Sequence, residues 1–263
     1  INIMKKKKII FFLSCIFVVI IFIIANIETT RSIGINHKVT VYNISLYVKI
    51  LDFYDRHNNY KDLIKSINKN TNNEQDIIIN TTRWIKNNIR KISKDDDVID
   101  YHPLTIIERR LGTQDQFSDL LSILLVYSNI DSFFIPKFGI EWHPLTFFKI
   151  NNNWSIIDSY YGIYFTNNER LFASIEDIKN EKWEISNLDF EKIGKSNFTT
   201  IFNSKFDNYE KVKKYYAELF HHLPDSKTIE NTNIFDRGGR SYTQNPLGRI
   251  KLIIYKMSKK LKI

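Results

Sequence analysis

The sequence predicts an α+β fold, helices packed on an antiparallel sheet, with an N-terminal transmembrane helix. Three observations carry this. Residues 9–27, IIFFLSCIFVVIIFIIANI, form an uncharged apolar run of the length needed to cross a bilayer. Residues 114–125 repeat apolar side chains at helical spacing behind a helix-start signal. Beyond them SFFIPKF, HPLTFFKI and WSIIDSYY are rich in aromatic and β-branched residues, and Asn151, Asn152 and Asn153 between the last two mark a hairpin turn.

Taken in order, Lys5 to Lys8 stand before the apolar run and few basic residues follow it, which predicts a cytoplasmic N-terminus and an extracytoplasmic domain from Glu28 onward. Ala25 offers a cleavage site, but the long Ile/Phe/Val run favours an uncleaved single-pass anchor over a signal peptide. VYNISLYVKILDFYDRHNNYKDLIKSI (41–67) and EQDIIINTTRWIKNNIRKI (74–92) carry helical spacing, the second through Ile77, Ile78, Thr81, Trp84, Ile85 and Ile89. SKDDDVIDYHPL reads as a polar connector in which Pro103 keeps His102 out of a helix, and LTIIERR leads to Gly112. Thr113 and Gln116 then form a capping-box pattern that starts a buried helix at Gln114, with Phe117, Leu120, Leu121, Leu124 and Leu125 on one face. Asp115, Gln116 and Ser118 read as capping or solvated residues. After the hairpin, EKVKKYYAELFHHL reads as a helix ending at His221 and His222, and DRGGRSYTQNPLG as an irregular loop. RIKLIIYKMSKKLKI reads as a basic amphipathic helix whose lysines suit a solvated or membrane-surface face. The expected division is a basic terminus (1–8), an anchor (9–27), a main domain (28–244, core about 75–180) and the basic C-terminal helix (245–263).

With 43% hydrophobic and 14% aromatic residues the chain is too apolar to be disordered. Its net charge of +9 is concentrated in Lys5 to Lys8 and in the tail after Asn245, leaving about −1 for the rest, so no basic groove and no nucleic-acid partner are expected. Cys15, the only cysteine, lies inside the apolar run, so the exported part has no thiol for disulfide, metal or nucleophilic chemistry. The six histidines show no ligand spacing such as HxxxH, and neither metal nor cofactor is expected.

The first turn of a helix lowers a thiol's pKa and can hold an oxyanion on its free N–H groups. Position 114 has that geometry but holds glutamine, whose amide is not a nucleophile. His143 opens one strand of the hairpin and Asp158 ends its partner, abreast to within a register error of two residues, as a carboxylate that orients an imidazole should be.

These segments, GTQDQFSDLLSILL, the His143 strand and NNNWSIIDSYYGIYFTN, resemble the transglutaminase-like superfamily of the papain-like fold over about residues 75–180. The family pattern is a Gly-x-Cys opening a helix of form CxQFxxLLxxLL, a strand led by histidine, and a Trp strand ending in aspartate before tyrosine and glycine. YYGIYFTNNERLFASIEDI extends the likeness to bacterial members. The resemblance puts His143 on the family's histidine, Asp158 on its aspartate, Trp154 on the strand tryptophan and Gln114 on the vacated cysteine position. It implies a membrane-anchored domain without thiol catalysis, acting as a binding or scaffolding module at the cell envelope, with a peptide or envelope glycan as ligand. Two other readings stay open: an active hydrolase or transferase using non-thiol chemistry around His143 and Asp158, with Asp115 or Ser118 as substitute nucleophile or base, and a purely structural envelope protein.

Overall fold

The computed structural model describes residues 2–35, 38–92, 102–169, 171–188, 209–238 and 240–261, which fall into two compact units. The connector expected over residues 93–101 lies outside the described residues.

The first unit runs to Arg56. It opens with α1 (Asn2–Ala25), whose segment Lys7–Ala25 has mean hydropathy 3.0 and is long and apolar enough to cross a membrane. Next come β1 (Glu28–Ile35) and β2 (Lys38–Ser45), paired antiparallel, and the start of α2 (Leu46–Ile67). This corrects the helical reading of residues 41–67 at its start. Val41 to Ser45 belong to β2, because Ser32, Arg31, Thr30, Thr29 and Glu28 stand opposite them as ladder partners. A short apolar run fits either period, and here the partner strand decides. Arg31 pairs with Asp52 at 2.9 Å, and Lys49 donates to the Thr30 carbonyl at 2.7 Å.

The second unit, from His57, is built on a five-stranded antiparallel sheet in sequence order: β5 (Ser132–Ile135), β6 (Leu145–Ile150), β7 (Asn153–Asp158), β8 (Ile163–Thr166) and β9 (Glu184–Asn187). The β6–β7 turn is Asn151 and Asn152, both with positive φ (49° and 64°), a conformation that asparagine tolerates and a two-residue hairpin requires.

Because strand side chains alternate, each strand feeds two cores. Phe147, Trp154, Ile156 and Phe165 face one side with Val212, Tyr216, Leu219 and Phe220 of α7 (Tyr209–Phe220). Phe148, Ile150 and Ile157 face the other with α3 (Glu74–Asn88) and α5 (Gln114–Tyr127). Each such fully buried side chain contributes about 1.5–3 kcal/mol. Smaller elements complete the unit: the short parallel pair β3 (Arg90–Lys91) and β4 (Leu111–Gly112), α4 (Pro103–Arg109), α6 (Ile175–Lys179) and α8 (Ser226–Asn231). The C-terminal stretch folds as a 3-10 turn (Tyr242–Gln244) followed by α9 (Pro246–Leu261). The segment expected to be loop is thus partly helical, and α9 starts three residues before Arg249, with Pro246 in the first position, where its missing N–H costs nothing.

α5 starts at Gln114 behind Thr113, whose N–H donates to the Gln116 side chain at 2.9 Å. Its burial is not confined to one face: every residue from Asp115 to Leu125 is buried. The expectation that Asp115, Gln116 and Ser118 are solvated is therefore corrected, although Gln116 does cap the helix. The reason is that α5 is enclosed by β5, β6, α3, α4 and the Ser241 to Gln244 segment, with Ser122 and Ser241 hydroxyls 2.7 Å apart.

Candidate functional site

The site forms where α5 begins and β7 ends. His143 precedes β6 by two residues. Thr146 pairs with Ile157, and Asp158, next along β7, shares its face of the sheet with Ile156 and Trp154, the face on which α7 packs; His143 meets it there from the segment leading into β6. Gln114, at the first position of α5, reaches the same imidazole from the helix side.

The structure brings the three residues together. His143 Nε2 lies 2.6 Å from Asp158 Oδ2, with both side chains buried. The Gln114 side-chain amide nitrogen stands 3.3 Å from His143 Nδ1, and the Tyr215 hydroxyl stands 2.9 Å from that same nitrogen. Nε2–H donating to Asp158 leaves the Nδ1 lone pair to accept, and both groups facing it are donors. Both oxygens of Asp158 are hydrogen-bonded: Oδ2 also accepts from the Tyr216 hydroxyl at 2.7 Å, and Oδ1 accepts from the Tyr161 N–H at 3.0 Å. Burial alone would raise the Asp158 pKa. Attraction to the His143 imidazole when it carries its second proton, the His143 hydrogen bond, and the Tyr161 and Tyr216 donors outweigh it and hold the carboxyl below its ordinary value.

Asp158 also caps the sharp turn through Tyr160 and Tyr161 to Gly162, where φ is +68° and a Cβ would sit 2.9 Å from the Lys86 side chain. Lys86 reaches the Tyr161 carbonyl at 3.4 Å, and the Lys91 ammonium lies 4.1 Å and 4.7 Å from the Tyr160 and Tyr161 ring centroids. Burial and then nearby Lys86 lower the Lys91 pKa, against the pull of Asp158. Aromatic rings wall the imidazole: Tyr161 stacks on it at 6.1 Å, and Tyr215 and Tyr216 meet it edge-on. Burial first, then Asp158 and Tyr160, push the Tyr161 phenol up to about 12, and Tyr215 and Tyr216 are raised further for the same leading reason.

Ser118 is not placed at the imidazole. Its hydroxyl donates to the Pro144 carbonyl at 3.2 Å and lies 3.5 Å from Ser159 Oγ. Asp115 accepts from the Thr113 hydroxyl. Tyr161, Tyr215, Tyr216 and Lys91 belong to the site without having been singled out by sequence. Tyr161 lies in the quoted YYG segment, but Tyr215 and Tyr216 look like one more aromatic pair on an amphipathic helix, and no local pattern distinguishes them. Among the described residues, no group of three or more His, Cys, Asp and Glu is placed to hold a metal ion. A cavity of about 340 Å³ opens beside Tyr215, between Phe138, Ile140, Glu141, Leu219 and His222, and Ile140 and Trp142, just ahead of His143, are exposed.

No family model matches the chain, and no curated protein matches it. Among solved structures it is similar to a chain named "Putative Cysteine Protease" from Cytophaga hutchinsonii, with TM-score 0.35 and 17% identity over 52% of this chain and 44% of that one. It is also similar to a "putative protease" from Parabacteroides distasonis, with TM-score 0.31 and 10% identity over 51% of this chain and 36% of that one. The match thus spans less than half the length of either.

Proposed function

We propose that this chain is a membrane-anchored transglutaminase-like domain in which Gln114 occupies the nucleophile's position, and that it works as a binding or scaffolding module at the cell envelope. The observation that carries the reading is what meets His143 Nδ1. In a thiol enzyme of this design the imidazole nitrogen opposite the carboxylate takes the nucleophile's proton. Here that nitrogen faces a carboxamide, which has no proton to give up in this range, and a phenol whose pKa burial and Asp158 raise. In this reading His143 and Asp158 keep the roles of base and orienting acid, and neither of the two described groups that meet Nδ1 readily gives up a proton, which supports a binding role over thiol catalysis. The ligand in this reading is a peptide or envelope glycan, received in the cavity beside Tyr215. Lys5 to Lys8 stay on the cytoplasmic side and the domain lies beyond the bilayer.

Restoring the thiol tests this. In a Cys15→Ser background, Gln114→Cys is expected to react with alkylating agents at near-neutral pH far faster than an ordinary cysteine, and His143→Ala to slow it, because helix dipole and imidazole both favour thiolate. A sluggish thiol indifferent to His143 would remove the site from the reading. The alternative, non-thiol hydrolase or transferase chemistry, is favoured by the Tyr215 hydroxyl on His143. It would show as peptide or amide turnover by the unaltered chain that His143→Ala abolishes.

A further inference from the structure

The face of α9 turned away from its fold is apolar. The opposite face is fixed to the body by specific contacts. At Gly248 a Cβ would sit 1.8 Å from the Tyr242 carbonyl oxygen, so the helix backbone rests directly on the 3-10 turn, and the Gly248 N–H donates to Asn245 Oδ1 at 2.7 Å. About two and three turns on, the Tyr255 ring packs on Phe235 at 5.5 Å, its hydroxyl bonds Asp236, and Lys259 reaches Asp236 at 3.1 Å. The orientation of the helix about its axis is therefore set. Leu247, Ile250, Ile253, Ile254, Met257 and Leu261 then project into solvent, each more than half exposed. Leu247, Ile250, Ile254, Met257 and Leu261 recur at alternating steps of three and four, which makes them one stripe.

A surface helix of a water-soluble domain buries such a stripe against its own core. Here the order is inverted, and the edges of the stripe are cationic: Lys251 on one side, Lys256 and Lys260 on the other, all exposed, with no acidic residue after Asn245. An apolar strip between two cationic rims matches a bilayer interface with anionic headgroups, where the strip enters the acyl boundary and the lysines meet phosphate. A second copy of the same helix fits worse, since pairing the stripes would bring like-charged rims together without a carboxylate on either helix. We propose that α9 is an interfacial helix that lays the second unit on an anionic membrane surface. This does not depend on the reading of the His143 site.

The test uses the full chain in a Cys15→Ser background, with one environment-sensitive fluorophore on Ile254→Cys or on Lys256→Cys. The labelled chain is reconstituted into phosphatidylcholine vesicles with or without roughly a quarter phosphatidylglycerol, a strongly anionic surface. With the anionic lipid, the label at 254 is expected to shift to the blue, to be quenched by doxyl-labelled lipid and to be shielded from iodide, while the label at 256 stays open to iodide. Lys251→Glu with Lys260→Glu should abolish the shift at 254. A label at 254 that remains open to iodide in both vesicle types would overturn the proposal, as would shielding unchanged by lipid charge. Disulfide formation between unlabelled Ile254→Cys chains under a copper–phenanthroline oxidant, with no lipid quenching of the labelled ones, would also overturn it and assign the stripe to a second copy.

Discussion

His143 is held by more partners than packing a strand-end histidine would require: a carboxylate on one nitrogen, two donors on the other, and three tyrosine rings around it. A single Nδ1 lone pair cannot serve both donors fully, and the shorter contact is that of Tyr215, at 2.9 Å against 3.3 Å for Gln114. Removing the Tyr215 hydroxyl should free that nitrogen, so Tyr215→Phe added to Gln114→Cys is expected to speed alkylation of the engineered thiol. Slower alkylation would mean that the hydroxyl orients the imidazole. Asp158 carries the stability of the cluster. Its removal in Asp158→Ala strands the imidazole and the Tyr216 hydroxyl in the core, a loss of about 3–5 kcal/mol expected in chemical denaturation. The sign of its pH dependence follows from its depressed pKa. The stabilisation is present above the unfolded carboxylate value of about 3.9 and is lost as pH falls through the lower folded value.

At the scale of elements, α5 contains a group with the opposite linkage. Asp119 is fully buried on the helix, with the Arg240 guanidinium 3.1 Å away and Asp115 nearby. Burial outweighs the arginine and raises its pKa from 3.8 to about 6. A raised folded value means stability that is fully present below the unfolded pKa and lost as pH rises through about 6, by roughly 3 kcal/mol at most. Asp119→Asn should flatten that decline in thermal unfolding followed from about pH 4 to pH 8. An unchanged profile would show that Arg240 compensates the charge in full. The β6–β7 hairpin depends on its two left-handed asparagines. Asn152→Ala, which puts a Cβ at φ 64° without asparagine's local hydrogen bonding, should cost about 1–2 kcal/mol, and Asn152→Gly little or nothing.

At the scale of the whole molecule, the apolar segment Lys7–Ala25 and the outward stripe of α9 are exposed apolar surfaces among the described residues. The full chain is expected to stay with membranes through alkaline carbonate, and protease added outside spheroplasts is expected to digest residues beyond Glu28. Release by carbonate would remove the anchor, and protection of the domain would reverse the orientation. What can be read from sequence here is what depends on neighbours along the chain. The start of α5 at Gln114 follows from its capping pattern, and the β6–β7 hairpin follows from its asparagines. The apolar run and the lone Cys15 inside it need no fold to be recognised. The β1–β2 hairpin is not legible in the sequence because a short apolar run acquires its period only from a partner. The burial of Asp119 and Ser118 was invisible because it depends on segments far along the chain that close over α5. Tyr215 and Tyr216 reach the His143–Asp158 pair across 72 and 58 residues, and no local pattern encodes such a contact. The direction of the α9 stripe is of the same kind: sequence determines that the helix has an apolar side, but only the seating of Gly248, Tyr255 and Lys259 on the body decides that this side faces outward.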